Sequence, residues 1–556
     1  MSGAGKTPMR RAPTRGRGAR IAAAILLSGL ALATPRVTHA TSGGPPEALS
    51  RWLAIDDEIE NLVVRGDLPV GALGFRPIDR ADLADWLRAD GRLRAEPEGF
   101  SAAIVRGVLG DHRARGLSLR DNRRESLAIA PYLRVMPRAE DGDWSWTENS
   151  RIGLRASYGF DSTLAIVTDI FAAEIAKGRE FADPLVAGTD FILHTEESTI
   201  SARLGPARLR LGRDRHRWGP GASGTLLFSD AAAPLNFGEY QLRLGRRLRF
   251  LALTGITSRH AALPVDSSGA VLPRANPDRT RSLAAHRLQW EISPRLTVAV
   301  AEAARFQGTP GLLYLAGILP YTLVERLDLQ DEPSDSTRSY ARNNVLWSAE
   351  IDWRVQPHAL LYAEVLVDDV ATESSDMPTR GGFQGGARWA PRWRGWDWTL
   401  GAEYTRVSNY TYSVFYQDLC QCDWEHQGEP LGYALGPDVE NLLLRAWAAP
   451  SASWSARAWL QVTRKGEGAI GLPWRPGVRS CGCGGGAGGN GDEPGAWMLS
   501  GEVTRTTATG LGLRHRIGSG SAWLSPLWFG ASVEGLWAEP DEKTRVRAGV
   551  EVSVGG

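Results

Sequence analysis

Residues 211–236 read LGRDRHRWGPGASGTLLFSDAAAPLN. Arg213, Asp214, Arg215 and His216 place two guanidiniums, a carboxylate and an imidazole in consecutive positions, just before Trp218-Gly219-Pro220-Gly221. Such groups either pair with one another or hold a sugar acid, because a guanidinium offers paired donors to a carboxylate. A second group is aromatic: Tyr410, Tyr412, Phe415, Tyr416 and Trp424 share one long loop-like stretch. Rings of this kind stack on the apolar face of a sugar; the alternative is interfacial and loop packing. A third group is the cysteines, as Cys420-Gln421-Cys422 and Cys481-Gly482-Cys483. A bridge inside Cys-x-Cys is strained, so a disulfide between the two segments is expected. Four cysteines allow three connectivities. His426 permits a metal reading, which an oxidising compartment disfavours.

No catalytic set assembles. Gly-x-Ser-x-Gly and His-Glu-x-x-His are both missing, and His194, His260, His286, His358 and His515 stand singly. Glu196-Glu197 and Asp368-Asp369 are neighbours, so on a strand they point to opposite faces and cannot work as a pair. The Gly-rich run 481–491 lacks the Lys-Ser/Thr and the strand–helix setting of a phosphate cradle. The sequence therefore implies no enzyme, no cofactor and no metal.

The elements that must position these groups are mostly strands. Ile152, Leu154, Ala156 and Tyr158 alternate with Arg151, Gly153, Arg155 and Ser157. Trp347, Ala349, Ile351 and Trp353 alternate with Ser348, Glu350, Asp352 and Arg354. The same period of two recurs at 361–368, 398–405 and 545–554. Strands with one apolar face, one charged face and aromatics near their ends describe a transmembrane β-barrel, with lipid outside and a polar lumen. A soluble sandwich would rarely carry Arg or Glu at so many second-face positions. At about 24 residues per strand and connection, residues 127–556 supply about 18 antiparallel strands.

Ahead of them, residues 1–40 carry Lys6, Arg10, Arg11, Arg15, Arg17, Arg20 and Arg36 with no acid, then an apolar run at 21–33 and Thr38-His39-Ala40. This is the pattern of a secretory signal peptide. Removing it turns the formal charge of +1 net acidic, so no nucleic-acid partner is indicated. Residues 41–126 form a periplasmic helical segment in this reading. Leu49, Trp52, Leu53, Ile59, Leu62 and Val63 recur at helical spacing. Asp79 reads as an N-cap with Asp82 in the first turn, ahead of Leu83, Trp86 and Leu87. Phe100, Ile104, Val105, Val108 and Leu109 suggest a third helix. The apolar faces are too few for an independent core, so the segment should lean on something larger.

The 211–236 segment closely resembles the signature of the capsule assembly Wzi family. Residues 75–80 (FRPIDR), 343–369 (NNVLWSAEIDWRVQPHALLYAEVLVDD) and 425–444 (EHQGEPLGYALGPDVENLLL) resemble further parts of it. The resemblance implies an 18-stranded outer-membrane barrel with periplasmic helices. It also implies a non-catalytic role in attaching or organising capsular or other surface polysaccharide, with outer-membrane lipid and the barrel-assembly machinery as partners. The alternative is a porin-like channel. The chain departs from the usual pattern of outer-membrane barrels at Val552-Ser553-Val554-Gly555-Gly556, which lacks a terminal aromatic.

Alternation places Arg151, Arg155, Arg203, Arg208, Arg210, Arg243 and Arg249 inward on early strands, and Glu350, Asp352, Glu364, Asp368 and Glu403 inward on middle ones. Facing walls of opposite sign imply either a salt-bridged plug or a field across a wet pore. For Arg213–His216, lumenal ion pairing is preferred over sugar contact, because charged lumenal walls commonly pair among themselves.

Overall fold

The computed structural model describes residues 56–89, 117–121, 125–140, 143–146, 150–174, 191–257, 280–329, 343–370, 378–414, 422–451, 453–472, 497–517, 527–539 and 543–554. The expected leader at 1–40, the third expected helix, Tyr416, Cys420, Cys481 and Cys483 lie outside them.

Among the described residues, 18 long strands form one closed antiparallel barrel. Each pairs with its neighbour in sequence, and Lys543–Val554 closes the ring on Glu125–Val135 and Pro137–Glu140. Strand pairing begins at Leu117–Asp121, ahead of the expected 127. Period-two alternation becomes a division between two solvents. In Arg151–Phe160, Arg151 is 6% exposed while Ile152 is 63% exposed. Leu154, Leu209, Leu211, Ile351, Val365 and Val550 are exposed in the same outward sense. A sheet that must satisfy every backbone group in hydrocarbon has to close, and this one does. Trp290, Trp353, Trp389, Trp393, Trp396 and Trp454 are exposed near the short-turn end, as in an interfacial aromatic row. Short turns at 161–163, 205–206, 294–295 and 357–358 mark that end, which in such barrels faces the periplasm. The segments at 215–234 and 308–329 leave from the other.

Two helices, α1 (Asp56–Arg65) and α2 (Arg80–Ala89), lie within the short-turn mouth of the barrel. Ile59, Leu62, Val63, Leu68 and Leu73 share one core with Leu360, Ala390, Trp447 and Ala449 of the strands. Arg354 pins the segment, donating to the carbonyls of Val63 (2.7 Å), Leu68 (3.0 Å) and Pro294 (2.9 Å). The helices thus borrow the wall as their core, which answers the shortage of apolar faces in their own sequence. No helix among the described residues is long and apolar enough to cross a membrane.

Candidate functional site

Strand Ala207–Asp214 turns Leu209 and Leu211 to lipid and buries Arg208 and Arg210 inside. Asp79 caps α2, accepting from the Ala81 N–H (2.7 Å), and its other oxygen accepts from Arg208 (2.8 Å). Asp82, in the first turn of α2, takes Arg203 (3.0 Å), Arg243 and Arg249 (3.7 Å). Burial would raise the Asp82 carboxyl, but these guanidiniums, Arg243 foremost, hold it below its ordinary value. The basic wall is therefore seated on the acidic start of a helix.

The four charged motif residues also face protein. Arg213 donates to the Thr195 carbonyl (2.8 Å). Asp214 pairs with Arg210 (2.6 Å). Arg215 pairs with Glu196 (2.6 Å) and donates to the Asp230 carbonyl (3.2 Å). His216 lies 3.2 Å from Glu239, and burial lowers its pKa.

After His216 the chain turns into the barrel. Trp218 pairs with Phe75 across a two-residue ladder, and the Gly219 N–H donates to the Gly74 carbonyl (3.0 Å). Gly219 has φ +115°, and Gly221 lies so close to Gln384 and the Gly224 backbone that a Cβ would clash. The segment after this turn forms no strand of its own. Only Phe228 bridges back to Trp218. Leu226 and Leu227 instead donate their N–H groups to Glu364 (3.0 and 3.3 Å). Glu403 likewise accepts the N–H of Ala222 (2.5 Å) and Ser223 (2.8 Å), with the Tyr362 hydroxyl at 2.6 Å. Asp368 accepts the Tyr412 N–H (2.7 Å), and Glu350 pairs with Arg287 (2.9 Å). The acidic wall thus serves mainly as acceptors for inward-running backbone. Sequence alternation placed these acids inside; their role as anchors for loop amides carried no signal in the sequence.

A second inward segment, residues 408–414 and 422–438, closes over the first. The Tyr412 hydroxyl donates to the Leu226 carbonyl (2.6 Å), and Trp424 Nε1 donates to the Leu227 carbonyl (2.8 Å). Tyr433 meets Ser223 through its hydroxyl (3.0 Å). Phe75, Trp218, Phe228, Trp424, Tyr412 and Tyr433 belong to one buried cluster, with Trp218–Phe228 centroids 4.7 Å apart and Phe228–Trp424 5.3 Å. Of the two readings of Tyr410, Tyr412 and Trp424, sugar stacking does not fit their burial and loop packing does. Tyr412 and Trp424 are fully buried, Tyr410 nearly so, and a ring enclosed by protein has no face for a ligand. His426 is buried beside them, and burial, with Arg305 nearby, lowers its pKa to about 4. Cys422 is buried and disulfide-bonded.

The closed antiparallel sheet, lipid-facing apolar belt and polar lumen define an outer-membrane β-barrel protein, here filled by its own N-terminal segment and two inward loops. The chain belongs to the Capsule assembly protein Wzi family, whose pattern matches residues 187–468. Among solved structures it is similar to Wzi of Escherichia coli, described as an outer-membrane protein involved in group 1 capsule assembly and a carbohydrate-binding β-barrel. The TM-score is 0.55 at 14% identity, over 91% of this chain and 98% of that one. OprD of Pseudomonas aeruginosa (TM-score 0.40, 13% identity, 79% and 96% covered) and a BenF-like porin of Pseudomonas fluorescens (0.42, 9%, 77% and 97%) are more distant. No curated protein matches the sequence.

Proposed function

We propose that this protein attaches or organises capsular or related surface polysaccharide at the cell surface, without catalysis and without conducting solutes. Family membership supports the role, and the related Escherichia coli barrel is described as carbohydrate-binding. The observation that carries the non-conducting part is the filling of the lumen. Both charged walls are engaged by the chain itself, the basic one by Asp79 and Asp82 and the acidic one by loop amides. A selective pore needs such charge free to meet a solute. Because Tyr412 and Trp424 form the floor, the polymer is met by outward-facing residues above it.

Two measurements test this reading. Cells lacking the protein should shed polymer into the medium and regain attached polymer when it is restored; unchanged attachment refutes the role. Purified protein in planar bilayers should be electrically silent, and steady conductance would favour the channel.

A further inference from the structure

On strand Arg281–Ser293, Arg287 and Gln289 point into the lumen, so His286, Leu288 and Trp290 point to lipid. On strand Leu296–Gln307, Arg305 points inward to Thr257 (3.1 Å), so Val300, Glu302, Ala304 and Phe306 point outward. Leu288, Trp290 and Val300 are exposed, as this side requires. Their neighbours toward the outer end are not: Ala252, Ala284, Glu302 and Ala304 are buried. An ionisable pair on the lipid face, Glu302 with His286 at 3.3 Å, is costly unless covered.

The cover is residues 308–329, a helical hairpin with no counterpart in the period-two reading: α3 (Leu312–Ala316) and α4 (Tyr321–Leu329). Glu302 accepts the N–H groups of Tyr321 (2.7 Å) and Thr322 (3.0 Å). The Tyr240 hydroxyl donates to the Ala316 carbonyl. Gly317 comes so close to the wall that a Cβ would lie 2.7 Å from that of Ala252. Phe306, Tyr314, Tyr321 and Val324 complete a small core with Ala284 and Ala304, outside the barrel.

Among the described residues, the hairpin's other face is bare and apolar. Ile318 is 74% exposed and Leu312 61%, with Leu315, Leu323 and Leu327 also exposed. Its height follows from the register. Glu302 pairs with Trp347, six positions along the strand from Trp353 in the lower aromatic row. At about 3.3 Å per residue and a tilt near 40°, that is roughly 15 Å up an apolar band about 25 Å tall. The bare face therefore continues the lipid-facing belt toward its outer edge.

We propose that residues 308–329 are a membrane-bedded clasp, whose occupant is the acyl-chain region of the outer leaflet. The hairpin shields Glu302 and His286 and gives the barrel an asymmetric, lipid-gripping shoulder, while Thr322 and Arg326 beside the apolar face suit the headgroup boundary. The test is Ile318→Cys carrying a bimane label, in phosphatidylcholine vesicles with or without brominated acyl chains. The wild-type chain taken through the same labelling gives the background, and Leu288→Cys marks full lipid contact. Brominated chains should quench the Ile318→Cys label at least half as deeply as the Leu288→Cys label, and aqueous iodide should hardly quench it. Quenching by iodide but not by bromolipid would overturn the proposal, leaving an aqueous loop. Protection from both quenchers would also overturn it. Crosslinking of Ile318→Cys into dimers would then identify a second copy as the cover.

Discussion

Replacing Glu403 with Leu removes the acceptor that holds the first inward loop at Ala222 and Ser223. The carboxylate receives two backbone N–H groups, Ala222 (2.5 Å) and Ser223 (2.8 Å), besides the hydroxyls of Ser223 (2.5 Å) and Tyr362 (2.6 Å). Leu fills similar volume but accepts nothing. Orphaning a buried amide costs about 1–3 kcal/mol, so the two together cost about 2–6 kcal/mol of local closure. Each 1.4 kcal/mol is tenfold, so the open population of the loop should rise by roughly one to four powers of ten. Hydrogen exchange read by mass spectrometry should show the 220–228 peptide accelerated by that factor. Strand peptides and heat-modifiable gel migration should stay as in the wild type, because the wall ladder does not pass through Glu403's side chain. Glu403→Gln keeps one acceptor oxygen and should give an intermediate acceleration. Unchanged exchange of 220–228 in Glu403→Leu would refute the claim that wall carboxylates hold the plug.

Trp218→Ala should empty a buried site between Phe75 and Phe228, costing about 3–5 kcal/mol and lowering the heat-modifiable fraction; near-normal yield with polymer attachment lost would mean that the residue binds glycan. His426 has a folded pKa of about 4, below its ordinary 6.5, so its contribution is complete above pH 6.5 and is lost as pH falls through 4. Protection of residues around 408–438 from exchange should decline over that window, and His426→Phe should flatten the decline. Glu60 behaves in the same sense lower down. Burial opposes its charge, but Arg388 and Arg445 hold it at about 2, so its contribution fades as pH falls from 4.5 toward 2. Unreduced peptide mapping should find Cys422 linked to Cys481 or Cys483, tying two long outer connections together; four free thiols would reject this.

What was legible in the sequence was whatever the two-residue period controls. Arg208, Arg210, Glu350, Glu364 and Glu403 could be assigned to the lumen because their neighbours had to face lipid. The capping of α2 by Asp79 was legible for a similar reason, since a helix start leaves N–H groups that a nearby carboxylate must take. The course of the loops was not legible. Tyr412 and Trp424 sit among turn residues, and turn chemistry does not say whether a loop rises into water or descends into a barrel. A hint exists in residues 219–224, Gly-Pro-Gly-Ala-Ser-Gly, whose small side chains suit a strand of chain threaded between walls. The clasp at 308–329 escaped because its apolar residues read equally well as strand or helix over so short a run.

The distribution of charge explains why this barrel can be filled rather than wet. Side chains from the wall of an 18-stranded barrel do not reach its axis, so closure needs backbone brought inside. Backbone inside must have its N–H groups satisfied. Carboxylates on the middle strands supply acceptors for loop amides, while arginines on the early strands supply donors for the acids of the N-terminal helix. Buried ion pairs contribute little net stability, but a misplaced one is costly, so each fixes a position. The Phe75–Trp218 ladder joins the two fillings, and the aromatic cluster from Phe75 to Trp424 packs between them. Lumenal charge of opposite sign, which in an open barrel would bias ions, here sets the register of a plug. The same residues cannot do both, because each carboxylate that holds a loop amide has its oxygens turned toward the chain and away from any solute.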